Sequence, residues 1–522
     1  MKLFSQLIIN CINEPKTLKK IQLIERYLQD ETKKNIPIAF HLLIGEHFGR
    51  FCSGTLLRQW CSQLLNYPQW LIDESYQHLG DNSETIALCF SNKSTSKTIP
   101  LHQLYTQMVA LKKAPLDEKK NWVISCWQQL SSDNIYTFNK LLGGGLRIGA
   151  SKKNVIKALS NIYNIHCDIL QQRIISQWEP TAKSYNHLID ASSTLENHSC
   201  PFPFYLASPV DKPLPEQFEQ LSDWFIEPKW DGIRAQLIHQ PTQTALWSRG
   251  NELISLQFPE LIKAAHKLPY GIYDGEILAW INNTPLPFYD LQKRLNRKTI
   301  TQKLLNLIPC VMIFYDCLKL NQQDIRNQPL QQRRKHICNV SYPFLTSQTL
   351  TLTTYKDITT FVAQARQKNI EGVMIKQKNS TYKIGRKRGD WWKLKVNPLT
   401  LDTVIMYAQQ GKGIRSGLYT DYTFGVWNNT KLVPIGKAYS GLTNEEIKTI
   451  NKIIKQNLTD KFGPVRAVKP CIVLEIAFDA IHPSSRHKSG LALRFPRIAR
   501  LRLDKPIDQA NTLKDAQQLC NI

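Results

Sequence analysis

At 522 residues the chain is too long for a single hydrophobic core and suits two to four domains. Its 42% hydrophobic content is that of a soluble globular protein, and 67 Lys and Arg against 42 Asp and Glu give a net charge of +25, so a polyanion is the expected partner. The 12 cysteines include no Cys-x-x-Cys pair, which argues against a zinc ribbon or a regular disulfide framework, and no run of about 18 apolar residues or secretory leader is found. A soluble, intracellular protein in a reducing compartment is expected, without a membrane partner.

In chain order, residues 1–195 read as helices, with apolar residues three and four apart at Leu18, Ile21, Ile24 and Leu28. Within them, Leu141-Leu142-Gly143-Gly144-Gly145-Leu146-Arg147-Ile148-Gly149 precedes Ser151, which is placed to cap a helix with the apolar face Val155, Ile156, Leu159 and Ile162. Gly143, Gly145 and Gly149 let backbone N–H groups approach an anion, and Lys140, Arg147, Lys152 and Lys153 surround them. Both a sequence-independent grip on a phosphate backbone and an ordinary helix–helix turn fit this stretch. From about Ala191 to Pro203, Ser, Asn, Pro and Thr read as a linker.

Glu227-Pro228-Lys229-Trp230-Asp231-Gly232-Ile233-Arg234 places a lysine at a strand end beside an Asp-Gly turn. An amine attacks phosphorus only when unprotonated, and from an ordinary pKa about 1 lysine in 2,500 is neutral at pH 7. Neighbouring cations such as Arg234, or a bound metal, are therefore required if Lys229 is a nucleophile. A plain charged hairpin is the other reading. Arg249 ends a further strand, and Asp274-Gly275-Glu276 reads as a second Asp-Gly turn running into an apolar strand. Phe288 to Lys298 is a basic helix, Cys310 to Asp316 a buried strand, and Arg333-Arg334-Lys335 a solvated basic face. Glu371-Gly372-Val373-Met374-Ile375-Lys376 is a strand with charges near both ends, and in Trp391-Trp392-Lys393-Leu394-Lys395 the two lysines face the same way. After Pro398, strands at Thr403–Ala408, Tyr419–Trp427 and Ile472–Phe478, with one helix from Asn444 to Lys455, suit an OB-type barrel. The stretch from Leu493 to Lys505 is rich in arginine.

Lys229 to Arg234 resembles the Lys-x-Asp-Gly-x-Arg motif of the covalent nucleotidyltransferases: ATP-dependent DNA ligases, RNA ligases and mRNA capping enzymes. The Gly-rich helical segment, Asp274-Gly275-Glu276, Glu371-Gly-x-x-x-Lys376 and the Arg-rich end, in this order, resemble the ATP-dependent DNA ligases of compact bacterial or archaeal form. That resemblance implies a multidomain α+β protein. An all-α DNA-binding domain would span 1–195, an α+β nucleotidyltransferase (adenylyltransferase, ATP-grasp-like) domain 203–397, and a C-terminal OB-fold β-barrel 398–522. It also implies sealing of 5′-phosphate/3′-hydroxyl nicks through lysyl-AMP and DNA-adenylate, in DNA repair, recombination or replication.

By the same resemblance Lys229 is the catalytic nucleophile. Glu227, Arg234, Arg249, Glu276, Phe314, Lys393 and Lys395 are expected at ATP, Phe314 against the purine and the two lysines at the α-phosphate. Arg494, Arg497, Arg502 and Lys505 are expected at the departing pyrophosphate. Glu276 and Glu371 would hold Mg²⁺, or Mn²⁺ as an alternative, and Lys140, Gly143, Gly145, Arg147, Gly149, Lys152 and Lys153 would hold DNA. The expected partner is nicked duplex DNA, bound by a monomer in the cytoplasm and, in a bacterium, on the nucleoid. An RNA ligase is the nearest alternative, disfavoured by the Gly-rich helical segment. A DNA-binding scaffold with a degenerate nucleotide site is disfavoured by the intact Lys229, Glu371, Lys393 and Lys395. An NAD-dependent ligase would carry a four-cysteine zinc finger.

Overall fold

The computed structural model describes all residues apart from 47–48, 92–98, 147, 191–200, 211–217, 219–220, 242, 296, 298, 412–416, 463–464, 486 and 521–522. Arg147 and most of the expected linker therefore lie outside the described residues. By packing, the chain divides into two compact units. One holds Met1–Leu170, Gln177–Ser193 and Leu399–Asn521, and the other holds Gln171–Ser176 and Thr194–Pro398. The helical segment and the C-terminal sheet thus fall in one unit. No described helix is long and apolar enough to cross a membrane.

The N-terminal segment is helical from Lys2–Asn13 to Ala182–Ile189. Thr17–Asp30 buries Ile21, Ile24, Tyr27 and Leu28, whereas Leu18, expected on the same face, is 75% exposed in the first turn. Helix Lys152–Tyr163 packs on Thr17–Asp30 through Val155, Ile156 and Leu159. The Ser151 hydroxyl accepts from the N–H of Asn154 at 3.4 Å and caps it as expected.

The middle unit contains β1 (Tyr205–Leu206), β2 (Ser208–Pro209), β3 (Trp224–Trp230), β4 (Ile233–His239), β5 (Thr244–Ser248), β6 (Gly271–Ile281), β7 (Thr284–Pro285), β8 (Cys310–Leu320), β9 (Gln323–Asp324), β10 (Phe344–Thr346), β11 (Ile370–Gln377), β12 (Gly385–Arg386) and β13 (Trp391–Lys395). They form two main sheets, one running β10-β8-β6-β4-β5 and the other β2-β13-β11-β3. β3 and β4 lie in different sheets, so Asp231-Gly232 is a crossing between sheets where a hairpin turn was expected. The reason for glycine there is space: a Cβ on Gly232 would stand 2.3 Å from the Ile277 carbonyl oxygen. Asp274-Gly275 is likewise no turn but lies inside β6, with a register irregularity against β8. A Cβ on Gly275 would meet the Ile313 carbonyl oxygen at 2.5 Å.

Period-two alternation sorts the side chains of both sheets. Ala235, Leu237, Tyr273, Ile277, Met312 and Phe314 form the outer core of the first sheet. Trp224, Ile226, Val373, Ile375 and Trp392 pack with Ile358 and Val362 of helix Tyr355–Gln364 behind the second. The alternate positions are left to line a cleft.

In the C-terminal segment, β14 (Leu399–Gln410) pairs with β15 (Tyr419–Asn428), and β15 with β16 (Lys431–Ala438). The other edge of β14 takes two partners in succession, β19 (Val473–Phe478) along Leu399–Val404 and β18 (Val465–Val468) along Tyr407–Gln409. One long strand serving two partners coils the sheet. Helix Asn444–Gln456, entered through a capping box of Thr443 and Glu446, buries Ile450 and Ile454 against Tyr422, Phe424, Leu474 and Ile476. β22 (Arg497–Arg502) pairs with β19.

Candidate active site

A cleft in the middle unit is lined by Lys229, Glu227, Arg234, Arg249, Glu276, Tyr315, Met374, Lys376, Arg386, Trp391 and Lys393, with Leu206, Ala207, Pro228 and Trp230 completing the wall. These side chains come from both sheets. Glu227 and Lys229 are two apart on β3, and so are Met374 and Lys376 on β11 and Trp391 and Lys393 on β13. Arg234 stands opposite Glu276 in the β4–β6 register. The spacing that was legible as alternation places these groups on the inner faces.

Lys229 forms an ion pair with Glu371, whose carboxylate also meets Lys395 at 3.3 Å. Burial would push the Glu371 carboxyl up, but Lys229 and Lys395 outweigh it and hold it at about 2. Glu371 reaches this position because the β3–β11 register is irregular between Ile370 and Val373. Gly372 makes that irregularity possible, with φ of 139° and a missing Cβ that would stand 2.1 Å from the Leu394 carbonyl oxygen. Strain in this Gly-only region costs about 1–3 kcal/mol before the clash is counted. Gly372→Ala is therefore expected to destabilise the middle unit by more than about 3 kcal/mol, measured by denaturant unfolding. A loss under about 1 kcal/mol would show that β11 and β13 separate freely here.

The cleft is strongly basic, with Lys229, Arg234, Arg249, Lys376, Arg386 and Lys393 against Glu227 and Glu276. Around Lys393 cations crowd together. Burial, then Arg386, Lys229, Lys395 and Arg249, push the Lys393 ammonium below its ordinary value. Such a cluster attracts a polyphosphate. Glu276 is pushed up to about 7 by burial, with Lys229 and Arg234 opposing and Glu371 and Asp231 adding to the rise. Arg234 is held by Asp274 through two bonds of 3.2 and 2.7 Å and by the Tyr205 carbonyl oxygen at 2.6 Å. Arg234 is thus paired with a buried carboxylate.

Aromatic side chains line the cleft as well. Tyr315, Met374 and Trp391 line it, and the Lys376 ammonium sits 4.0 Å from the Tyr315 ring centre. Phe314, expected against a purine, is absent from this wall. It is fully buried on the opposite face of β8, stacked on Phe344 at 5.2 Å and Tyr273 at 5.1 Å. Tyr315, one residue on, has the parity that points inward, a signal already present in the alternation. Lys376 and Trp391 were likewise in view without a role. Arg333-Arg334 is no solvated face: Arg333 pairs with buried Asp316, and Arg334 with Glu227.

The Arg-rich residues near the end belong to the other unit and have their own partners. Arg497 pairs with Asp479 at 3.0 Å, and Lys505 and Arg502 meet Asp402 at 2.7 and 3.3 Å. The Arg494 guanidinium lies 5.3 Å from the Phe495 ring centre. In the Gly-rich loop, the N–H groups of Gly143, Gly144 and Gly145 donate to Asn139, Leu141 and Lys140 carbonyls. These glycines end a helix, and Gly144, with φ of 86°, lets residues 49–50 approach. That corrects the expected cradle of backbone N–H groups. Lys140 is engaged by Asp81, and Gly149 packs over Lys20, whose ammonium donates to its carbonyl at 3.2 Å. Lys152 meets Glu46 at 3.4 Å across the surface, and Lys153 is exposed.

Three family models match the chain: the DNA ligase N terminus over residues 1–160, the ATP dependent DNA ligase domain over 204–395, and the ATP dependent DNA ligase C terminal region over 415–505. A "Probable DNA ligase" of Koribacter versatilis is 28% identical over 99% of this chain and 96% of its own. The "DNA ligase" of Thermococcus fumicolans is 22% identical over 97% and 96%. A solved structure named Pmar-Lig_Pre superposes with a TM-score of 0.62 at 16% identity, covering 96% of this chain and 99% of the other, a likeness of fold.

Proposed function

We propose, from the premise that this chain belongs to the ATP-dependent DNA ligase family, that its cleft carries out the adenylyl transfer with which nick sealing begins. The chain is a DNA ligase and uses ATP. The observation that carries the assignment of residues is Lys229, which lines one cleft together with the aromatic Tyr315 and Trp391 and with the cations Arg249, Arg386 and Lys393. The base of ATP enters between Tyr315, Met374 and Trp391, which replace Phe314 in that role. The phosphates lie among Arg249, Arg386, Lys393 and Lys395. Lys229, once its ammonium has lost a proton to solvent, attacks the α-phosphorus through Nζ, the bond from that phosphorus to the oxygen bridging to the β-phosphate breaks, and pyrophosphate leaves with lysyl-AMP formed. AMP then passes to the 5′-phosphate at the nick, and the 3′-hydroxyl displaces it. Each displacement needs alignment and charge stabilisation more than a proton carrier, which suits a site built from Lys, Arg and Glu.

Glu371 and Glu276 fit a divalent cation, since both are oxygen donors on the same inner surface and Mg²⁺ commonly takes one or two carboxylates, with water and phosphate oxygens for the rest. When bound, it supplies neutralisation of phosphate charge. Lys229 rests against Glu371, so the lysine is aligned before ATP arrives. Arg494, Arg497, Arg502 and Lys505 serve pyrophosphate departure, for which Arg497 leaves Asp479 and Arg502 and Lys505 leave Asp402. We assign the helical segment up to about 195 to DNA, 203–397 to adenylyl transfer, and 398–522 to an OB-fold, an assignment supported by the coiled sheet packed on helix Asn444–Gln456. Transfer of label from α-labelled ATP to the protein, and then to a nicked duplex, tests the sequence of steps. Failure to form a covalent protein adduct with the acid-labile, alkali-stable character of a P–N bond would reject it.

With the loop N–H groups engaged, the grip on DNA passes to the capped helix start and its lysines. Lys152→Glu combined with Lys153→Glu is expected to weaken nicked-duplex binding and reduce its salt slope by about 1–2, with lysyl-AMP formation unchanged. An unaltered slope in a binding series from low to high salt would assign this helix to another partner.

A further inference from the structure

Glu227 is 1% exposed and yet lines the cleft. Two cations hold it. Lys376, from β11, meets one carboxylate oxygen at 2.8 Å, and Arg334, from helix Leu330–Lys335, pairs with the other. Lys376 itself lines the cleft, whereas Arg334 is absent from its wall and is 7% exposed. The Arg334 guanidinium is anchored on the far side by the Ser347 carbonyl oxygen at 2.7 Å and lies 4.7 Å from the Phe225 ring centre. Ser347 in turn accepts a bond from the Trp230 indole N–H at 3.2 Å, beside Lys229.

From this arrangement we infer that Arg334 is a positioning residue for nucleobase selection, acting through Glu227. The inference rests on the reading of the cleft as an ATP site with its base beside Tyr315. A buried carboxylate held at one oxygen is free to turn about that contact. Held at both, by Lys376 and Arg334, it keeps its orientation. The Glu227–Lys376 pair then presents an acceptor beside a donor. An adenine edge offers an amino donor next to a ring-nitrogen acceptor and matches it. Guanine offers a carbonyl where adenine has its amine, and an oxygen against a fixed carboxylate is repelled. Arg334 touches no substrate in this scheme. Its effect is on which base is accepted, through the fixed orientation of Glu227.

The test is formation of the protein–nucleotide adduct from α-labelled ATP and GTP, with the apparent KM and the saturated rate measured separately on the full chain. Arg334→Met is expected to raise the KM for ATP at least tenfold and to narrow the ATP:GTP preference at least tenfold, with the saturated rate within threefold of wild type. Arg334→Lys, which retains the charge but lacks the fork that spans Glu227 and the Ser347 carbonyl, is expected to fall between the two. It carries the same test if Arg334→Met is not recovered folded. A purely structural role would lower both nucleotides' reactions by the same factor and leave their ratio alone. That result, or an unchanged KM and ratio, would overturn the inference. Glu227→Gln separates the two levels of the argument. If it narrows the preference while Arg334→Met does not, the positioning role fails alone. If Glu227→Gln leaves the preference intact, or wild type does not prefer ATP, the reading of the base site fails and the inference falls with it.

Discussion

Lys229→Ala is expected to abolish labelling of the protein by α-labelled ATP, a loss on the order of 10⁴-fold or more, and with it the sealing of ordinary nicks. Joining of a nick that already carries 5′-AMP should persist at a reduced rate. The split follows from geometry. In the proposed scheme Lys393 and Lys395 stabilise phosphate charge and Glu371 holds a cation, and all three remain when the lysine side chain is removed, whereas the nucleophile does not. Other lysines line or flank the cleft, but Lys376 is tied to Glu227 and Lys395 to Glu371. A residual covalent adduct in the Lys229→Ala protein would reassign the nucleophile, with Lys393 the first candidate. Equal loss of both reactions would mean that the substitution has disturbed the cleft itself.

The second large effect concerns the paired carboxylates. Glu371, held at about 2, stays ionised throughout the working range, whereas Glu276, pushed up to about 7, takes a proton as pH falls through neutrality. The signs of the stability terms are opposite. The Glu371 interaction stabilises the fold fully above the ordinary glutamate value of 4.5 and is lost as pH falls towards 2. At Glu276 the folded state prefers the proton, so stability is lost as pH rises from 4.5 to about 7. A cation bound between them must displace that proton. Mg²⁺ affinity of the nucleotide-free protein is therefore expected to rise by up to about tenfold per pH unit below neutrality and to level off above about 7. Glu276→Gln should remove the pH dependence, and Glu371→Gln should weaken binding by at least about 100-fold. Calorimetric titration at several pH values measures both. Affinity independent of pH, or indifferent to Glu371→Gln, would place the cation elsewhere.

Much of the site was legible along the chain. Lys229 beside Asp231-Gly232, the Glu371-to-Lys376 strand and the Lys393/Lys395 pair each announce themselves by residue type and by period-two spacing, which is local and survives folding unchanged. The same is true of the Ser151 cap, whose hydroxyl bonds three residues on. What the chain order concealed depends on partners far away in sequence. Asp231-Gly232 and Asp274-Gly275 have turn chemistry, yet their glycines answer to carbonyl oxygens of Ile277 and Ile313, which only sheet pairing brings within 2.3 and 2.5 Å of a Cβ. Arg333-Arg334 has the composition of a wet surface, yet Asp316 and Glu227 draw both guanidinium groups inward. Phe314 and Tyr315 are both aromatic, and strand parity turns Tyr315 to the cleft, because the outer face of β8 is already committed to Phe344 and Tyr273. Local sequence specifies which chemistry a segment carries, but burial and pairing are collective, so which groups face the cleft was decided when the two sheets came together.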